Sequence, residues 1–154
     1  ASLLTSDVAQ LEDVCRTLLF ERPGYGGWAQ VYSQVNDRFS DDLLPSENGN
    51  DALASLRVDY RNRLVDALVA ASTRLVAAGE AQEGLWFARA ALQRDRSRED
   101  AYICLMQAQL AAGQRTAALE TYFACRRFDE LGIDPSLETM RLYRSIIETE
   151  TDFE

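Results

Sequence analysis

Three observations predict an all-α fold for this chain. One Gly-centred segment recurs at a fixed interval. Apolar residues recur at helical spacing along the chain, and no stretch alternates apolar and polar residues as a half-buried strand would. The recurrence says most. Leu75-Val76-Ala77-Ala78-Gly79-Glu80 is echoed 34 residues later by Gln109-Leu110-Ala111-Ala112-Gly113-Gln114, and the register continues through Leu85 with Leu119 and Ala91 with Cys125.

A period of that length belongs to helix–turn–helix repeats of the tetratricopeptide kind, in which each helix pair buries its apolar face only by stacking on its neighbours. The expectation is a tetratricopeptide-like right-handed stack of about seven helices. Residues 1–154 form one domain in this reading, with units 65–98 and 99–132 as superposable pairs and Leu85 and Leu119 as equivalent core positions between their helices. Such a stack presents a surface and implies no catalytic chemistry.

The elements follow in order. A first helix begins near Ser6 or Asp7, whose short polar side chains can accept the free N–H groups of a helix start. Val8, Leu11, Val14 or Cys15, Leu18 and Leu19 form its stripe, and Pro23-Gly24 ends it. Gly26-Gly27 extends that loop. A second helix carries Trp28, Val31, Tyr32, Val35 and Phe39, both tryptophans (Trp28 and Trp86) reading as core residues. Residues 40–46 form an ordered linker, and Glu47-Asn48-Gly49-Asn50 is the most loop-like stretch. A long helix runs from Asp51 to about Ala78 with Leu53, Leu56, Tyr60, Leu64, Leu68 and Leu75 buried, and Gly79 closes it in the left-handed conformation. Helix four covers roughly Ala81–Arg94, with Arg94 itself an inert surface position. Helix five covers Arg98–Ala112 and is closed by Gly113; helix six covers Arg115–Phe128. Pro135 falls in the first turn of a seventh helix carrying Leu137, Met140, Leu142, Tyr143, Ile146 and Ile147.

Composition narrows the function. The chain has 154 residues, 47% hydrophobic and 27% charged, which describes a globular domain with a real core. No apolar run approaches the roughly 18 residues that cross a bilayer. The start lacks the basic and apolar regions of a signal peptide. It also lacks an initiator Met, so the chain is expected to be a piece of something longer. Net charge is −9, from 25 acidic and 16 basic residues, every basic one an Arg. An acidic chain binds nucleic acid poorly, because phosphate neutralisation supplies most of that affinity. A local basic face remains open around Arg57, Arg61, Arg89, Arg94, Arg96 and Arg98. Cys15, Cys104 and Cys125 suggest neither a disulfide framework nor a metal motif; the last two read as small core residues. A reducing cytoplasm is the expected compartment.

Catalytic patterns are missing from the sequence. There is no His, hence no usual general base and no Ser-His-Asp triad. Gly24-Tyr25-Gly26-Gly27 neither follows a strand nor leads to a Lys, so it reads as an inter-helix loop rather than a phosphate cradle. Asp41-Asp42 and Glu148–Glu154 lack the alternation of a calcium loop. No enzyme activity, cofactor, metal or small-molecule substrate is expected.

Several features then occur together in order. They are Asp7-Val8, the run Arg38-Phe39-Ser40-Asp41-Asp42-Leu43-Leu44-Pro45, the run Arg61-Asn62-Arg63-Leu64-Val65-Asp66-Ala67-Leu68, the two Gly-closed repeats, and Glu130-Leu131-Gly132-Ile133-Asp134-Pro135-Ser136-Leu137-Glu138 followed by Arg141-Leu142-Tyr143. This resembles the bacterial transcriptional activator domain of the Streptomyces antibiotic regulatory protein family. The "Glu-Leu-Gly-x-x-Pro-Ser-x-Glu … Leu-Tyr" ending is its most specific part, and the resemblance covers nearly the whole chain. It implies a non-enzymatic assembly domain that self-associates or contacts the transcription machinery. It also implies a preceding winged helix that reads DNA, so that DNA is met only through a domain outside these residues. The Pro23–Trp28 loop, Glu47–Asn50 and Arg96, which stands where such repeats usually carry Pro, depart from the pattern. The alternative is a tetratricopeptide-type scaffold of a signalling ATPase or another assembly unrelated to transcription.

The first helix of each stacked pair lines the concave surface. With the register set by Gly79 and Gly113, the partner-facing positions are Asp66, Val69, Thr73 and Val76, then Asp100, Ile103, Gln107 and Leu110. Two carboxylates at matched positions predict an acidic groove rimmed by apolar residues, suited to a basic amphipathic segment. The competing reading is that the four apolar positions are covered by neighbouring helices.

Overall fold

The computed structural model describes the backbone of residues 2–23, 27–38, 51–129 and 136–151. The described residues form seven helices: α1 (Ser2–Phe20), α2 (Gly27–Arg38), α3 (Asp51–Ala77), α4 (Ala81–Arg94), α5 (Glu99–Ala111), α6 (Arg115–Asp129) and α7 (Leu137–Thr151). No strand occurs among them. Phe39, the linker at 40–50, Gly24-Tyr25-Gly26 and the turn 130–135 lie outside the described residues, as do the side chains of Val8, Leu53 and Phe128.

The stacking follows the repeat logic. α3 packs on α4 and α5 on α6, while α3 also meets α1 and α5, α4 meets α2 and α5, and α7 closes against α5 and α6. Chain reversal is made the same way twice. Gly79 has φ +84° and Gly113 φ +77°. The Glu80 N–H donates to the Leu75 carbonyl at 2.8 Å and the Gly79 N–H to Val76 at 3.1 Å; 34 residues on, Gln114 donates to Gln109 at 2.8 Å and Gly113 to Leu110 at 3.1 Å. This paired closure satisfies carbonyls that a helix end leaves orphaned, and it needs a residue free to adopt positive φ.

Among the described residues the core falls into three clusters. Leu11, Val14, Cys15 and Leu18 of α1 meet Val31 and Val35 of α2, Leu64, Val65, Leu68, Ala71 and Leu75 of α3, and Phe87 of α4. Leu85 and Ala88 pack with Cys104, Leu105 and Ala108. Ile103, Met106 and Tyr122 then receive Leu142 and Tyr143. Buried polar links register each pair: Ser72 Oγ donates to the Gly84 carbonyl at 2.7 Å, and Thr121 Oγ1 donates to Gln109 Oε1 at 2.7 Å. Trp28 is half-buried, edge-on to Phe87 at 5.7 Å and packed against the core, whereas Trp86, also half-buried, meets Tyr32 at 5.6 Å and joins none of the core clusters.

Three expectations need correction. α1 begins at Ser2, so Ser6 and Asp7 lie within the helix and do not open it; a short polar residue permits a cap without requiring one. Leu56 is 43% exposed. α3 has 27 residues and α4 only 14, and at 1.5 Å per residue the N-terminal part of α3 outruns the helix that would cover it. Leu119 is only half-buried, whereas its counterpart Leu85 is 1% exposed. The buried position of α6 at that level is Ala118. α7 starts at Leu137 after Ser136, whose Oγ accepts the Thr139 N–H at 3.3 Å and caps the helix, while Pro135, expected in its first turn, lies outside the described residues.

Candidate partner-binding surface

The positions expected to face a partner divide by environment. Asp66 and Thr73 on α3 and Asp100 on α5 are exposed; Val69 and Gln107 are half-buried; Ile103 is 8% exposed. Ile103 is therefore a correction. It packs with Met106 and Tyr122, where Leu142 and Tyr143 of α7 join them, so the capping helix takes the place a partner would need. Val69 packs partly against both the first and second core clusters. The apolar rim expected of this groove is mostly committed to the fold.

The two carboxylates do come together, through a residue that the repeat register does not point to. Arg98 immediately precedes α5. Its Nη2 lies 2.5 Å from Asp66 Oδ1 and 2.6 Å from Asp100 Oδ2, and its Nε donates to Asp100 Oδ1 at 3.1 Å. Arg98 Nη1 also reaches the Asn62 carbonyl at 3.4 Å. The paired hydrogen bonds to Asp100, opposed in part by burial and reinforced by Asp66, raise the Arg98 pKa above its ordinary value. One guanidinium thus bridges α3 and α5, and the three charges sum to one net negative. The surface is a bridged, weakly acidic one and not a groove with two free carboxylates. Arg98 follows Ser97 in a turn and precedes two acids, which hints at local pairing; its reach to Asp66 depends on the stacking of α5 on α3.

The expected basic face also separates. Arg94 turns inward, donating to the Val35 carbonyl at 2.9 Å and the Ala90 carbonyl at 2.8 Å, so it ties α2 to α4 and is not an inert surface position. Burial lowers its pKa, against a smaller opposing influence from Tyr32. Arg74 is likewise structural. It donates to the carbonyls of Leu19 and Glu21 at 3.0 and 2.9 Å, at the end of α1 where helix carbonyls lack partners, and lies over Trp28 at 5.5 Å. Arg89 and Arg96 remain exposed beside a cavity of about 370 Å³ between α4 and α6.

Among the described residues no helix is long and apolar enough to cross a membrane, and no three His, Cys, Asp or Glu side chains gather as a metal site. Cys15, Cys104 and Cys125 are buried, the last two as expected from their apolar surroundings.

A stack of helix hairpins closed by matched glycines, with a cap helix over its last pair, defines this molecule as an all-helical repeat domain. The model of the bacterial transcriptional activator domain matches residues 29–147, which takes in both Gly-closed pairs and most of α7. The chain belongs to that family and is a transcriptional-activator-related domain. No curated protein and no solved structure matches it.

Proposed function

We propose that this domain is the non-enzymatic assembly module of a bacterial transcription regulator of the Streptomyces antibiotic regulatory kind. It self-associates or contacts the transcription machinery, works in the cytoplasm without a cofactor, and leaves DNA reading to a separate winged-helix domain. The observation that carries this reading is the family match across residues 29–147. The helix-pair architecture agrees with it, since stacked repeats expose extended surfaces to partners. We assign contact to the exposed members of the concave set, Asp66, Thr73 and Asp100, with half-buried Val69 and Gln107 between them.

Two measurements test it: sedimentation equilibrium of the domain, and binding to purified bacterial RNA polymerase holoenzyme on a sensor surface. Self-association or polymerase binding is the expected result. The folded Asp66→Arg with Asp100→Arg variant, and separately Thr73→Trp, should weaken whichever contact is found. Unchanged affinity in both would move the contact off this face. A domain that neither self-associates nor binds polymerase would favour the scaffold role in a signalling assembly.

A further inference from the structure

A furrow lined by α4, the turn after it, α5 and α6 shares no lining residue with the Asp66, Val69, Thr73, Asp100 and Gln107 set, and we propose that it is a separate docking site whose occupant is an acidic amphipathic helix of a partner protein. Four observations meet there. First, both helices lean on α5, and the space between them, about 370 Å³, lies within the range of about 300–1,000 Å³ usual for ligand sites. Second, its lining is apolar at the floor: Leu92, Tyr102, Leu105 and Ala124. Third, Arg89 on α4 and Arg96 in the turn after it stand exposed at its edge. Fourth, neither guanidinium forms an ion pair or hydrogen bond among the described residues, in a chain with 25 acidic side chains. Glu120, one turn before Ala124 on α6, pairs with neither of them.

Arg96 is also held in place. The Tyr102 hydroxyl, rising from the floor, donates to the Arg96 carbonyl at 2.9 Å. The turn carrying the cation is thereby fastened to the apolar floor it flanks.

The chemistry selects the partner. A planar guanidinium matches a carboxylate with two parallel hydrogen bonds. Two such groups beside an aliphatic and aromatic floor ask for a segment with Leu-type anchors and flanking Glu or Asp. The furrow offers side chains and no free strand edge, which suits a helix laid in a groove with anchors at i and i+3 or i+4. Nucleic acid fits worse: it gains most from many neutralised phosphates, and the chain as a whole carries −9.

The test uses a fluorescein-labelled synthetic helical peptide with Leu at i and i+4 and Glu on both sides, read by anisotropy against the whole domain. A second peptide replaces every Glu with Lys. The acidic peptide should bind the parent, lose affinity as salt is added, and be weakened about tenfold or more by Arg89→Glu with Arg96→Glu. Ala124→Trp, which fills the floor without touching the charges, should weaken it too, with circular dichroism reporting that each variant is folded. Thr73→Trp, exposed on the Asp66–Asp100 face and without a change of charge, should leave peptide affinity unchanged, which separates this site from that face. No binding of the acidic peptide, equal binding of the Lys peptide, or an unchanged Kd in the folded arginine variant would overturn the proposal. Displacement of the peptide by an equal concentration of DNA duplex would overturn it in favour of nucleic acid.

Discussion

Gly113 and Gly84 are both glycines for reasons that differ. A Cβ on Gly113 would touch nothing within 4 Å, so only its φ of +77° constrains it. Gly113→Val should therefore destabilise through the backbone alone, by about 1–2 kcal/mol or more for a β-branched side chain, and Gly113→Asn by less; urea midpoints measure both. A Gly113→Val domain as stable as the parent would show that the closure can rearrange. Gly84 has no positive φ, but a Cβ there would lie 2.8 Å from Val76 Cγ2 and 3.3 Å from the Ser72 carbonyl. Gly84→Ala gains up to about 1 kcal/mol of helix propensity and loses more to overpacking, about 1–3 kcal/mol. The net is predicted as a loss, and adding Val76→Ala should recover part of it in a double-mutant cycle. Cys15 makes a pH prediction. Burial, the largest influence, pushes its thiol up from 9.0 to about 11. Between those values the folded state holds a proton that the unfolded state has released, so stability is complete below about pH 9 and falls toward pH 11. Urea midpoints of parent and Cys15→Ala should converge over that window as pH rises; parallel curves would contradict the assignment.

Within α4 and α6, equivalence of sequence register does not mean equivalence of burial. Leu85 is enclosed by Ala88, Cys104, Leu105 and Ala108, and Leu85→Ala should cost about 2–5 kcal/mol. Leu119 keeps contact with solvent, so Leu119→Ala should cost clearly less. Chemical denaturation of the two variants side by side decides this, and equal losses would restore the strict repeat. α4 has Trp28, Tyr32 and Val35 of α2 on one side and Leu105 of α5 on the other. α6 is flanked by a single cap helix, and Leu119 is in none of the enclosed clusters. Arg94 shows the same dependence on neighbours, since its value lies in the Val35 carbonyl across the gap to α2.

At the scale of the molecule, α7 is fastened by one carboxylate. Glu99 Oε1 accepts the Ser136 N–H at 2.7 Å and the Thr139 hydroxyl at 2.5 Å, while Arg115 Nε donates to the Ile146 carbonyl at 3.2 Å farther along. Burial would raise the Glu99 pKa, but the hydrogen bonds from Ser136 and Thr139 outweigh it, and the net shift is downward. A lowered carboxyl pKa contributes stability above the unfolded value that disappears as pH falls through the folded one. Glu99→Gln should loosen α7 by about 1.5–3 kcal/mol, the worth of hydrogen bonds to a charged group. Hydrogen exchange should speed up across residues 137–148 and at the newly uncovered Ile103, Met106 and Tyr122, with α1–α4 unaffected. Uniform exchange in variant and parent would show that packing and Arg115 hold α7 without the Glu99 carboxylate.

The helices, their order and the two glycine closures were legible in the sequence, because helical periodicity, capping residues and positive-φ glycines are written within a few residues of where they act. The limits of α4 coincide with those read from the spacing alone, and the closures at Gly79 and Gly113 share the same pair of hydrogen bonds. The repeat also placed Asp66 and Asp100 at matched positions. What lay between and over those positions was decided only by the tertiary structure. Arg98 reaches Asp66 from a distant point in the chain, and α7 folds back to cover Ile103. The unequal burial of Leu85 and Leu119 and the furrow beside Arg89 and Arg96 arise in the same way. A helix records its own faces in its residue spacing, whereas what meets each face depends on where the next helices pack, and one period carries no information about that.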